Sequence, residues 1–244
     1  MRKQVIFFSF FFSFLFFSQE NSDAAVPSNL EPSVVAIMKK VWANMKWEPF
    51  SMAGILRTQE DRYPLILKTK PYEIEYEIKT EWPQYIRVAL QSKGSRLFNR
   101  SNLHEEWQEM PSSNWNQAVL NTDLTYEQLA LDFLTWPKIE AFGRDNFKTM
   151  PAYLLEAFPE GRNTSYSRVR FWISQEYFVL VRADFYNAKN QVIKRLEMNA
   201  VQKIGDFWFL KELQISTRMP DRDLSKSRSY LEIQKAEALT AETN

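Results

Sequence analysis

The spacing of apolar residues changes along the chain, and each period predicts an element. Val34, Ile37, Met38, Val41, Trp42 and Met45 recur every three or four residues, while Lys39, Lys40, Asn44 and Lys46 fall between them. Glu31 to Trp47 therefore reads as an amphipathic helix, with Pro32 suited to its first turn and Pro49 ending it. From Tyr72 to Lys79 the period drops to two: Tyr72, Ile74, Tyr76 and Ile78 alternate with Glu73, Glu75, Glu77 and Lys79. That is a strand with one dry and one wet face. Tyr85 to Gln91 alternates in the same way, and Met52 to Thr58, Leu65 to Lys68 and Ser95 to Asn99 are shorter strand candidates.

Residues 101–122 are polar and aperiodic and read as a loop. Thr125-x-x-Gln128 then has the capping-box pattern and opens a second helix, whose apolar face is Tyr126, Leu129, Ala130, Phe133 and Leu134, with Trp136-Pro137 as its stop. Strand patterns return after Lys138: Tyr153 to Phe158, Arg168 to Ser174, Phe178 to Tyr186, Gln191 to Ile204, Phe207 to Thr217 and Ser227 to Ile233. About eleven hairpin-linked strands and two helices describe an α+β domain with one large antiparallel sheet. Such a sheet curls, and two short helices are too little to fill its concave side. The pattern therefore predicts an apolar trough with a partial helical lid. Tyr177 to Tyr186 and Phe207 to Leu213 are apolar on both faces, which predicts cover on both sides there.

The N-terminus follows a different pattern. Met1-Arg2-Lys3-Gln4 precedes thirteen apolar residues, Val5 to Phe17, that hold eight Phe; polar and then small residues follow. This is the order of a secretory signal peptide, too short to span a bilayer, with cleavage expected after Ala24. Residues 25–244 are then expected to form a single domain in the periplasm, an uncleaved membrane anchor being the alternative.

Composition removes most chemistries. The 244 residues hold no cysteine and one histidine, and 31 Lys+Arg against 30 Asp+Glu leave a net charge of +1. Thiolates, disulfides and multi-histidine sites are excluded, and so is a bulk basic field for nucleic acid. The five glycines form no phosphate-binding loop. His104 has Glu105 and Glu106 beside it, but neighbours in sequence rarely converge on one ligand. Asp221-Arg222-Asp223 lacks the glycine and distal glutamate of a calcium loop and reads as a solvated hairpin end. Glu73, Glu75 and Glu77 read as a wet sheet face rather than a paired-carboxylate site. No catalytic residue, metal or cofactor is expected.

One resemblance adds to this. DLTYEQLALDFLTWP (Asp123 to Pro137), PAYLLEAFP (Pro151 to Pro159), YSRVRFWIS (Tyr166 to Ser174), the strand pair from Tyr177 to Leu196 and WFLKELQIS (Trp208 to Ser216) follow one another in order. Together they resemble the outer-membrane lipoprotein-sorting protein family, with its LolA/LolB-like fold, over roughly residues 33–234. The resemblance implies an open, incomplete antiparallel β-barrel with helices covering the concave face. It implies a non-enzymatic periplasmic binder of lipoprotein acyl chains or phospholipid, with membrane-bound donor and acceptor proteins as further partners; a protein-interaction or lipid-sensing module on the same fold is the alternative. On this reading Ile74, Tyr76, Ile78, Ile86, Val88 and Leu90 line the lipid trough, and Leu129, Phe133, Leu134 and Trp136 belong to the lid. The lid-fixing arginine of such carriers has three candidate equivalents, Arg87, Arg170 and Arg182.

Overall fold

A computed structural model describes residues 32–204, 207–220, 222 and 224–239. The stretch read above as a signal peptide, 1–24, and Asp221 and Asp223 lie outside the described residues. The first helix, α1 (Val34–Asn44), is shorter than the predicted Glu31 to Trp47 at both ends. Ser33 caps it, its hydroxyl accepting from the Ala36 N–H at 3.2 Å.

Six strands follow: β1 (Phe50–Arg57), β2 (Arg62–Lys70), β3 (Glu73–Ile78), β4 (Gln84–Ala89), β5 (Arg96–Arg100) and β6 (Gln108–Glu109). After a connection that contains α2 (Tyr126–Ala130) come β7 (Lys138–Phe147), β8 (Met150–Phe158), β9 (Arg168–Ser174), β10 (Leu180–Tyr186), β11 (Val192–Ile204), β12 (Phe207–Arg218) and β13 (Ser225–Ala238). All pair antiparallel in one sheet of order β6-β5-β4-β3-β2-β1-β13-β12-β11-β10-β9-β8-β7. Two meanders thus meet at the β1–β13 ladder. The outermost strands β6 and β7 are not paired to one another, so the barrel is open.

Thirteen strands stand where about eleven were expected. The two extra ones are the sheet edges. β6 has two residues, both exposed, and β7 is exposed along almost its whole length, so neither had a buried face to write an alternation into the sequence. Elsewhere the alternation holds. Met52, Leu67, Tyr76 and Ile86 are register partners in succession across β1 to β4 and all are buried. Lys68, Glu75 and Arg87 form the matching row on the other face, and Lys70 Nζ lies 3.8 Å from the Glu75 carboxylate. The carboxylates of β3 therefore occupy a polar sheet face, as the pattern predicted.

The doubly apolar stretch from Tyr177 is buried on both faces along most of β10, and at its start α1 supplies the cover. Tyr177 and Phe178 precede β10, in a turn where Phe178 has φ 53°. The end of α1 packs against this turn. Asn44 Nδ2 donates to the carbonyls of Tyr177 (2.9 Å) and Phe178 (3.2 Å), and Lys40 Nζ sits 4.1 Å from the Phe178 ring centre. The Met45 carbonyl also accepts from Tyr72 N in the β2–β3 turn (3.1 Å), so the C-terminal end of α1 ties one meander to the other.

At the β1–β13 seam the register shifts between Ala53 and Gly54. A Cβ on Gly54 would lie 2.2 Å from the Glu232 carbonyl oxygen, a backbone atom that cannot swing away. Gly54→Ala is therefore expected to destabilise the fold by at least about 2 kcal/mol through loss of the seam. A thermal melt within about 1 °C of the parent would contradict this account.

Candidate functional site

The six predicted trough residues are all buried: Ile74, Tyr76 and Ile78 on β3, Ile86 and Val88 on β4, and Leu90 just beyond it. Ile74 faces Val88 and Tyr76 faces Ile86 across the ladder. The four predicted lid residues are buried as well. Leu129 lies in α2, which approaches β4 and β5, and Phe133 and Leu134 lie in a 3-10 turn, Asp132–Thr135, that approaches β8. Phe133 makes edge contacts with Phe171 and Phe185, at centroid separations of 5.4 and 5.6 Å. The predicted single helix from Thr125 to Leu134 is thus two short pieces broken at Leu131, which has φ 48° and ψ 30°. The capping box is present: Thr125 N donates to Gln128 Oε1 (2.9 Å) and Gln128 N to Thr125 Oγ1 (3.3 Å).

Polar side chains fasten this segment. Asp123 reaches the middle of the sheet, where Thr217, Ser227 and Ser229 donate to its carboxylate and Lys194 to its carbonyl. Its own N–H donates to Ser229 Oγ at 2.7 Å. Burial lowers the Lys194 pKa, partly offset by Asp123. Asp132 accepts from Ser95 N (2.8 Å) in the β4–β5 turn and from the Trp136 indole (3.2 Å), and the Ser95 hydroxyl donates to the Ala130 carbonyl (2.7 Å). Glu127 accepts from the Thr164 hydroxyl in the β8–β9 connection. Of these residues the sequence singles out only Ala130, on the apolar helix face, and Trp136, as a lid residue. Asp123, Glu127 and Asp132 carry no local signal of burial, because the sheet that buries them is distant in sequence.

The expectation of an empty trough is not met. Among the described residues, an apolar void beneath the segment measures only about 10 Å³ and is lined by Leu124, Gln128, Leu129, Leu131, Leu196, Leu213 and Leu231. The reason lies in the connection itself. Met110 and Val119, in a stretch that reads as polar loop, join Leu124, Leu129, Ala130, Leu131, Phe133, Leu134 and Trp136 in the same core cluster. Gln128 is nearly fully buried there, and its Nε2 has no hydrogen-bond partner among the described residues. Two larger cavities are open and polar. One of about 780 Å³ lies between the β1–β2 turn and the start of β13, with Asp61, Asp123 and Arg228 among its lining residues. The other, of about 390 Å³, lies by the β3–β4 turn and includes Trp82, Tyr85 and Arg100.

The remaining candidates are elsewhere. Arg87 lies over the Phe98 and Trp107 rings, while Arg170 and Arg182 pair with Glu156 and Asp184 (2.8 and 2.5 Å). All three occupy the face opposite the trough residues, so the segment is fixed by its acids rather than by one of these arginines. His104 is exposed in the β5–β6 connection, with its N–H on Asn102 Oδ1 (2.9 Å).

A family model described as "Uncharacterized protein" matches residues 97–241. The chain belongs to that family. The match covers the buried connection and all of the second meander. Among solved structures the chain resembles an outer membrane lipoprotein-sorting protein domain from Vibrio parahaemolyticus, with TM-score 0.69, 13% identity, and 84% of this chain and 92% of that one covered. It also resembles a DUF1329 family protein from Desulfovibrio piger (TM-score 0.65, 16% identity, 87% and 96% covered). A third is a LolA superfamily protein from Nitrosomonas europaea (TM-score 0.61, 15% identity, 86% and 95% covered). These likenesses show the fold, which is LolA-like. No curated protein matches the chain in sequence.

Burial raises the Glu127 pKa from 4.5 to about 7, with the Thr164 hydrogen bond opposing and Asp132 adding like-charge repulsion. A raised carboxyl pKa favours the protonated folded form. Its stabilising contribution is fully present below the unfolded value and is lost as pH rises through about 7. The whole effect is on the order of 3 kcal/mol. Glu127→Gln keeps an acceptor for Thr164 and removes the titration. From about pH 5 to about pH 8 the parent should lose roughly 5–10 °C of melting temperature relative to the variant. Parallel pH profiles in circular-dichroism melts would refute this.

Proposed function

We propose that this chain is a non-enzymatic, periplasmic binder of acyl chains, carried by phospholipid or lipoprotein, and that residues 123–136 are a displaceable cover over the concave face of its open barrel. The observation that carries the reading is the way the apolar face is closed. A continuous hydrophobic surface spans both meanders, yet it is sealed by one short irregular segment whose fixings are polar side chains and whose two helical pieces meet at the left-handed Leu131. Polar fixings and a strained joint release more readily than a continuous packed helix.

Energetics support the exchange. Each buried methylene contributes ~0.8 kcal/mol, so a chain that buries ten of them offers roughly 8 kcal/mol against the cost of lifting the cover. The trough residues Ile74, Tyr76, Ile78, Ile86, Val88 and Leu90 and the lid residues Leu129, Phe133, Leu134 and Trp136 would then bound the same space from its two sides. The Gln128 Nε2, which has no partner among the described residues, suits the ester carbonyl of an acyl group; a void of about 10 Å³ is a poor site for water. The fold shared with a lipoprotein-sorting domain supports the same reading. Among the described residues no helix is long and apolar enough to cross a membrane.

The full interior favours a second reading, a lipid-sensing or protein-interaction module whose trough stays occupied by its own side chains. One experiment separates the two. Ser95 and Ala130 touch, and the chain has no native cysteine, so Ser95→Cys with Ala130→Cys can lock the cover to the β4–β5 turn. The reduced protein should bind a fluorescent fatty acid and yield co-purified lipid by mass spectrometry of an organic extract. The oxidised protein should lose at least about tenfold in affinity. No probe binding by the parent, or equal binding in both redox states, would discard the carrier reading in favour of the second.

A further inference from the structure

The face of the sheet opposite the cover carries a row of register partners that runs across six strands: Glu156 on β8, Arg170 on β9, Asp184 on β10, Arg195 on β11, Ser216 on β12 and Arg228 on β13. Its charges alternate, negative then positive, as far as Arg195. Opposite charges on facing strands stabilise a sheet, and the contacts are close. Arg170 meets Glu156 at 2.8 Å, and Arg195 meets Asp184 at 2.7 Å. At Ser216 the alternation fails. A neutral hydroxyl stands between Arg195 and Arg228, where the pattern calls for an anion.

Two further observations mark the same point. Ser216 has no exposed surface, and its Oγ has no hydrogen-bond partner among the described residues, a costly arrangement for a buried hydroxyl. Positive charge also predominates among the described residues around it. Arg218, two residues along β12 on the same face, has its pKa lowered by burial and by Arg195, Arg182 and Arg228, with Asp184 acting the other way. Asp184 already accepts from both Arg182 and Arg195. Among the described residues Glu197 lies opposite Arg182 in register, and Glu212 and Glu232, farther along β12 and β13 on the same face, are taken by Arg57. Arg228 is exposed and lines the wall of the 780 Å³ cavity, so its guanidinium can move to admit a ligand without unpacking the core.

We propose that Ser216, Arg195 and Arg228 form a binding site for a phosphate-type oxyanion on the outer face of the sheet. The anion completes the alternating row: the Ser216 hydroxyl donates to one oxygen, and the planar guanidiniums, which match phosphate geometry, take the others. The ligand is either free phosphate or the phosphate of a lipid headgroup, since both present the same oxygens. The site is separate from the acyl trough and does not depend on the function proposed for it.

The full mature chain would be titrated by calorimetry with inorganic phosphate and, in a second arm, by co-sedimentation with vesicles of phosphatidylglycerol and phosphatidylcholine, both at low ionic strength. Binding in the first arm alone assigns the free anion. Binding in the second, alone or with the first, assigns the headgroup. Arg228→Ala should weaken whichever binding is seen by about tenfold, and Ser216→Ala by roughly threefold to tenfold. Ser216→Ala should also raise the melting temperature without ligand, because it removes an unsatisfied buried hydroxyl. Absence of binding in both arms overturns the proposal. So does an Arg228→Ala effect with Ser216→Ala unchanged, which is the behaviour of diffuse surface charge. A lower melting temperature for Ser216→Ala, meaning that the hydroxyl serves the fold itself, overturns it as well.

Discussion

The ladder between β1 and β13 is the constraint on which the rest of the molecule depends. Each meander by itself is a set of local hairpins with one apolar face and two free edges. Pairing the first strand of one with the last strand of the other, nearly the whole chain apart, merges the two apolar faces into one surface. That surface is too large to leave in water and has no second sheet to cover it. The connection between the meanders starts at the β6 edge and ends at the β7 edge, so it is the part of the chain placed to lie across the surface. Its apolar residues fill the space, and its acids hold it there.

Those fastenings follow from burial. A carboxylate taken out of water needs donors or a shifted pKa. Asp123 is met by three hydroxyl groups from β12 and β13, and Asp132 by a backbone N–H and an indole. Glu127 has one hydroxyl donor and a neighbouring acid, and its pKa rises accordingly. The least satisfied of the three acids lies in α2 itself, next to the Leu131 joint, which is where a cover that opens would need the weakest hold.

The two faces of the sheet solve different problems. The inner face excludes water from side chains that touch one another. The outer face of the second meander keeps a ladder of half-buried arginines and acids together with rings stacked beneath guanidiniums, as where Arg182 lies 4.3 Å from the Trp172 ring and Arg168 4.0 Å from that of Tyr186. Ser216 interrupts that ladder with a neutral, buried hydroxyl.

Much of this was legible in the amino-acid order. The alternation in β3 and β4 assigned Ile74, Tyr76, Ile78, Ile86 and Val88 to one face, because period-two burial is a local property of a strand. The capping box located the start of α2 because it too is a local pattern, while the predicted end at Leu134 was overturned by the break at Leu131. The edge strands β6 and β7 left no trace, since an exposed strand has no dry side to encode. The packing of Met110 and Val119, the burial of Asp123, Glu127 and Asp132, the near-absence of void beneath the cover and the register that sets Ser216 between Arg195 and Arg228 were decided only by the tertiary structure. Each depends on which distant strands become neighbours. That follows from the β1–β13 pairing, a contact between chain ends that no local pattern of hydrophobic and polar residues can express.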